Sequence, residues 1–211
     1  MQQIHAAQTN DTDALAQLAV CDVHGRILCD EQGVSIALHA MYYGNSQLAR
    51  QIVARCQTID LFTAAATDDV VQLSREVAHH ADGINAWSGD GFHALGLACF
   101  FGAAQTAAYC IAQGADVNRA SNNQFTVAPI HSATAADSIA ITRMLLEAGA
   151  DANKRQQGGF CAIHTAAQHG NRDMCELLIA HGADVHLATD DGHTAAHIAR
   201  NHHHTHLSDI L

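Results

Sequence analysis

Apolar residues recur along the chain in a two-part figure. The run Ala162-Ile163-His164-Thr165-Ala166-Ala167 is followed, beyond Gly170, by Met174, Leu177 and Leu178 at i, i+3 and i+4. The second set forms one face of a helix, because 3.6 residues per turn bring those positions together. In the first run Ala166 and Ala167 leave room for another helix to pack. Gly170 ends that run, since a left-handed turn after a helix favours glycine. His181-Gly182-Ala183-Asp184 then closes the second helix. The unit reads helix, turn, helix, loop.

The unit repeats. Gly-Ala-Asp stands at 114–116, 149–151 and 182–184, in steps of 35 and 33 residues. A unit this thin cannot bury its apolar face alone, so such a period means a stack of units that complete each other's core. The residues expected to close the first helix of each unit are Asn10, Gly44, Asp68, Gly102, Asp137, Gly170 and His203, in steps of 34, 24, 34, 35, 33 and 33. The step of 24 predicts a third unit whose leading loop is cut to a turn near Thr58-Ile59-Asp60. The step of 35 predicts a 116–127 connection longer than that at 151–160. Ile4-His5-Ala6-Ala7, with Leu15, Leu18 and Ala19, reads as an opening helix pair. Thr194-Ala195-Ala196-His197 begins a polar last unit that runs to Leu211.

These units resemble ankyrin repeats, whose signature is a Thr-Pro-Leu-His opening and a Gly-Ala-Asp close. The openings here are Ala128-Pro129-Ile130-His131, Cys161-Ala162-Ile163-His164 and Thr194-Ala195-Ala196-His197. The short 58–61 junction, with the segment from Asp90-Gly91-Phe92 to Phe100-Phe101-Gly102, is similar to bacterial ankyrin-repeat proteins. The resemblance is close over 88–200 and weaker over 1–87. It implies an all-α fold, an α-solenoid of about six ankyrin-type helix-turn-helix repeats plus a partial C-terminal capping repeat. It also implies one solenoid over 1–211, with divergent repeats in 1–87 and clear repeats and the cap in 88–211. At the fourth opening position His131, His164 and His197 are expected to bond loop backbone. His93 and Gly96 replace the Thr and His of the fourth unit, which is expected to lack that internal bond.

Composition narrows the function classes. Of 211 residues 48% are hydrophobic but only 5% aromatic, so small alanines carry much of the core, as thin helix layers require. One proline leaves the helices unbroken. A net charge of −11 argues against nucleic acid, whose binding rests on Lys and Arg neutralising phosphates, and against an anionic membrane surface. No apolar run of ~18 residues predicts a spanning helix. Met1-Gln2-Gln3-Ile4-His5 has neither the basic nor the apolar stretch of a secretory leader. Seven cysteines, an odd count without a Cys-x-x-Cys pair, read as reduced thiols of a cytoplasmic protein, mostly acting as small core residues.

Catalytic patterns are missing from the chain. It has no Gly-x-Ser-x-Gly and no glycine-rich phosphate loop, so no enzyme activity, catalytic residue or cofactor is expected. Asp68-Asp69 and Asp190-Asp191 fall at unit boundaries, where aspartate caps helices and turns. Among seventeen histidines, His202 and His206 stand at i and i+4, a helical spacing that can hold Zn²⁺ or Ni²⁺. Only Asp209 lies nearby, and the cluster reads first as an exposed cap. The alternative is a metal- or pH-responsive binding module built on this histidine-rich end.

The leading reading is a non-enzymatic scaffold that binds another protein on the concave helix face and the loop tips. In each first helix the residue after the opening tetrad and the two before the closing residue are expected to face away from the stack. They are His39, Tyr42 and Tyr43; Thr63, Ala66 and Thr67; Leu97, Phe100 and Phe101; Ser132, Ala135 and Ala136; Thr165, Gln168 and His169. Four of the chain's aromatic residues fall among them. Tyr42, Tyr43, Leu97, Phe100 and Phe101 are the candidate anchors, continued along the face by Gln168 and His169. Lys154 and Arg155, on an adjoining loop, are candidates to pair with an acidic group. The partner is expected to be a protein, not nucleic acid or membrane, and the chain a monomer.

Overall fold

The computed structural model describes residues 2–9, 19–80 and 82–211. Among them are twelve α-helices and no strands, with β pairing confined to isolated bridges. Helix α1 (Gln2–Gln8) is followed by five helix pairs. They are α2 (Ile36–Tyr42) with α3 (Ser46–Ala54), α4 (Leu61–Ala66) with α5 (Val70–Val77), α6 (Ala94–Phe100) with α7 (Ala104–Ala112), α8 (Pro129–Ala135) with α9 (Ile139–Glu147), and α10 (Ala162–His169) with α11 (Arg172–Ala180). Helix α12 (Ala195–Asn201) leads into a 3₁₀ turn, Thr205–Leu207.

First helices pack on first helices, α1, α2, α4, α6, α8, α10 and α12 in one row, while α5, α7, α9 and α11 form a second. The result is an all-α solenoid. Its core is the alanine-rich seam between rows: Ala37, Ala64, Ala98, Ala133 and Ala167 are fully buried, with Leu38, Leu95, Ile130 and Ile163 filling the space between them. Alanine lets the helices approach closely, and the branched side chains supply the apolar area that drives stacking.

Every closing residue within the described part turns the chain through positive φ: Gly44 at 79°, Asp68 at 62°, Gly102 at 69°, Asp137 at 54°, Gly170 at 70° and His203 at 63°. Asn10, Leu15 and Leu18 lie outside the described residues, and Ala19 is not helical. The two aspartates accept the strained backbone and link units at the same time. Asp68 Oδ1 accepts from the Thr106 amide at 2.8 Å, and Asp137 Oδ1 accepts from Asn171 Nδ2 at 2.7 Å. Asp68 thereby serves the start of α7, where Ala103 has no side chain able to cap.

Asparagines staple the opposite edge. Asn118 donates to the Gly149 carbonyl and accepts from the Asp151 amide; Asn153 does the same with Gly182 and Asp184. Asn85 accepts from the Asp116 amide in the unit before. The step that joins Asn118 to Asn153 and the Gly-Ala-Asp signatures to each other is therefore the step of these bonds.

Hairpin loops stand on the first helices. Their necks pair Cys29 with Ser35, Trp87 with His93 and Ala188 with Thr194, the second member of each pair capping a helix. The third unit has no hairpin: Asp60 caps α4 directly, its carboxylate accepting from the Phe62 and Thr63 amides. The hairpins on either side then meet. A Cβ on Gly89 would lie 1.6 Å from the Gln32 carbonyl oxygen, so glycine is required there. Further along, Asn122 N donates to Gly91 O, Gln157 N to Phe125 O, and Asp190 N to Gly158 O, which joins the loops into one row. The α7–α8 connection has 16 residues against 14 for α9–α10. Its extra length contains Phe125, 47% exposed, and Thr126, a β-branched residue at φ 51°.

Candidate functional site

The face that carries the sequence candidates is formed by the C-terminal ends of the first helices and the adjoining hairpins. The two positions before the closing residue are both exposed in the fifth and sixth units, and one of the two is exposed in the second and fourth. Tyr43 is 54% and Phe100 48% exposed, and Ala135, Ala136, Gln168 and His169 are exposed. In the third unit Ala66 is buried and Thr67 half-buried. The position after the opening tetrad does not face outward: Thr63, Leu97 and Ser132 are buried, and His39 and Thr165 half-buried. A first helix has a neighbouring first helix on each side and its own return helix behind. Only the last turn therefore emerges, and a residue one turn earlier is already inside the stack.

Leu97, at 1% exposure, is thus a floor residue and not an exposed anchor. Phe101 is half-buried against the core, with its ring 5.5 Å from Tyr42 and 5.0 Å from Phe100. The Tyr42 hydroxyl donates to Asp90 Oδ2 at 2.7 Å, a reach that the missing third hairpin opens. Burial and the Asp90 carboxylate push the Tyr42 phenol above the ordinary tyrosine range, so it remains the donor.

Around these residues lies a hollow of ≈190 Å³. Tyr42, Leu97 and Phe100 line it from the helices, with Ser132, Ala135 and Thr165 beyond them. Phe92, Val127 and Gln156 line it from the hairpins, and His131 completes the lining. The walls are mostly apolar. Phe92, Val127 and Gln156 were not among the sequence candidates. The available signal was the apolar residue standing directly before an opening, Phe92 before His93 and Val127 before Ala128; Gln156 carries no such mark.

The other candidates do not line the hollow. Gln168 and His169 end α10, and His169 Nδ1 is 4.0 Å from Asp137. Arg155 is held by Asp190 at 2.9 Å and the Ala188 carbonyl at 3.1 Å, so its charge is engaged within the loop row. Lys154 is half-buried, and its carbonyl is taken by a histidine.

Three buried histidines fix the loops that form the hairpin wall. His131 Nδ1 accepts from the Ala128 amide, and its Nε2 lies 2.8 Å from the Lys154 carbonyl. His164 repeats this with Cys161 and the Leu187 carbonyl at 2.9 Å. The fourth unit does not lack the bond, as the His93–Gly96 exchange suggested. His93 sits at the N-cap itself, accepts from the Gly96 amide at Nδ1, and reaches the Arg119 carbonyl at 2.8 Å with Nε2. One ring from the cap position performs the work of threonine and histidine together. Arg119 lies over Trp87, 4.1 Å from the ring centroid, and Trp87 packs edge-on to His93. Burial holds all three imidazoles below the usual histidine pKa, so they act as neutral donors. His197 departs from the pattern and packs its ring 4.4 Å from that of His193.

The C-terminal histidines are not a helical pair. Helix α12 ends at Asn201, and the left-handed His203 separates His202 from the 3₁₀ turn that contains His206. His204 Nε2 instead lies 3.0 Å from the Gln168 carbonyl, and His206 Nε2 3.0 Å from the Gly170 carbonyl. The cluster straps the last turn onto the end of α10. Among the described residues no three His, Cys, Asp or Glu side chains converge as metal ligands. None of the described helices is long and apolar enough to cross a membrane.

Residues 130–211 match a family model for ankyrin repeats, in three copies. No curated protein matches the chain.

Proposed function

We propose that this chain, whose residues 130–211 match ankyrin repeats in three copies, is a non-enzymatic scaffold that binds a partner protein in the concave hollow between α2, α6, α8 and the hairpins. Ankyrin repeats generally mediate protein–protein interaction and are typically non-enzymatic. The observation that carries the choice of face is the hollow itself. A mostly apolar recess with Phe100 and Tyr42 in its wall and Leu97 as its floor is an arrangement that marks interaction sites, and aromatic side chains in partly desolvated pockets dominate binding energy. At ≈190 Å³ it suits one large apolar side chain of the partner. The rigid stack supports this reading, since little ordering entropy is lost from this side on binding. The reading takes 1–211 as one continuous solenoid, acting as a monomer. It places the chain in the cytoplasm because its cysteines are unpaired.

Photo-crosslinking tests it. A benzophenone amino acid at position 100 should capture one protein in the native host. The same probe at Val71, exposed on the return helix α5, should not. Capture from position 71 and none from position 100 would move the site to the other face.

A further inference from the structure

Cys21 and Cys56 face each other where the loop before α2 meets the end of α3. Cys21 Sγ lies 3.6 Å from the Arg55 carbonyl oxygen, and Cys56 Sγ lies 3.8 Å from the Val20 carbonyl oxygen. Each sulfur therefore rests on the peptide that leads into the other cysteine. The Cys21 sulfur is near enough to raise the pKa of the Cys56 thiol, whose Sγ also lies 3.3 Å from the Ile52 carbonyl oxygen. The backbone on both sides is fixed: Gln57 N donates to Gly25 O at 2.8 Å, Ile27 N to Thr58 O at 3.1 Å and Leu28 N to Val20 O at 3.0 Å. A disulfide requires neighbouring backbones, and these bonds hold the two cysteine segments side by side, with each sulfur against the other's backbone.

Access separates this pair from the rest. Cys99, Cys110, Cys161 and Cys175 are buried, whereas Cys21 and Cys56 are partly exposed and Cys29 is exposed with no thiol partner in the described residues. Packing explains the buried four as small core side chains. It does not require two partly exposed thiols on neighbouring backbones, since any pair of small residues would fill that space.

We propose that Cys21 and Cys56 are a redox site that closes to a disulfide when the protein meets hydrogen peroxide. Burial and the neighbouring Cys21 hold the Cys56 thiol up to about 12, which assigns the first attack to Cys21. Its sulfur loses a proton and takes one peroxide oxygen as S–OH; the O–O bond breaks and the other oxygen leaves as water. The Cys56 sulfur then attacks the Cys21 sulfur. The S–S bond forms, the S–O bond breaks, and the hydroxyl departs as a second water with the Cys56 proton. Two electrons pass from two thiols to one peroxide, and an external dithiol reverses the step by exchange. The bond ties the 20–29 segment to the end of α3, the unit that carries Tyr42 and Tyr43.

Peptide mapping tests this on the full chain. The reduced Cys29→Ser protein is treated with hydrogen peroxide, blocked with iodoacetamide, and digested without reductant. The expected product is one peptide pair joined through Cys21 and Cys56, two hydrogens lighter than its reduced parts, with two fewer free thiols and full reversal by dithiothreitol. Cys21→Ser and Cys56→Ser should each abolish the link. The same mapping on the unsubstituted chain should give the same pair. Recovery of Cys21 and Cys56 on separate peptides, whether alkylated or oxidised to sulfinic acid, would overturn the proposal.

Discussion

His93, His131 and His164 are the residues whose chemistry most directly governs stability. Each is buried, each bonds a loop carbonyl, and burial lowers the pKa of each ring. In the unfolded chain these rings titrate near ~6.5, so below that pH the unfolded state binds protons that the folded state does not. Their stabilisation is therefore complete above the unfolded value and declines as pH falls through it, by at most about 1.4 kcal/mol per pH unit for each ring. Thermal melts between pH 8 and 5 should show a falling midpoint, and His93→Asn should make that fall shallower. A midpoint that rises toward pH 5 would mean the rings are not held neutral. The sequence announced His131 and His164 through their place in the opening tetrad. It hid His93, because a histidine at a cap position looks like a loss of pattern until its ring is seen to reach the same carbonyl from three residues earlier.

At the scale of the element, the helices and their closing turns were legible and the loop contacts were not. Gly, Asp and His at the closing positions all mark chain reversal, and each described one takes positive φ, because the turn between packed helices demands it. The short third unit was equally legible as a step of 24. Its consequence, two hairpins in direct contact, depends on three-dimensional placement that no spacing reveals. Gly89→Ala should therefore cost at least ~2 kcal/mol, since a Cβ there meets a backbone carbonyl. Gly102→Ala should cost about 1 kcal/mol, because its Cβ meets open space and only the positive φ is strained. Chemical denaturation of the two variants compares them, and equal losses would contradict the hairpin contact. The C-terminal strap gives a second test. His204→Ala with His206→Ala should speed amide exchange in 203–211 roughly tenfold by removing two bonds to α10. The amides of α8 should be unaffected.

At the scale of the molecule, the stack follows from the period, while the hollow follows from where the period fails. Loss of one hairpin lets Tyr42 reach Asp90, and the lengthened α7–α8 connection carries Val127 into the wall of the recess. The helix side of the hollow was readable as aromatic residues before Gly44 and Gly102. The hairpin side was not, because residues from three units converge there. Leu97 was misplaced by one helical turn, since counting positions along a single helix does not reveal how completely its neighbours enclose it. The measurement that bears most directly on the account is the affinity of Tyr43→Ala with Phe100→Ala for the protein captured at position 100, read beside a Val71→Ala control. Both rings are about half exposed, so the melt should scarcely move, while binding should weaken by at least ~2 kcal/mol, about 30-fold, and the control should bind as before. A double variant that folds and binds like the unsubstituted chain would contradict the claim that the concave hollow is the binding surface.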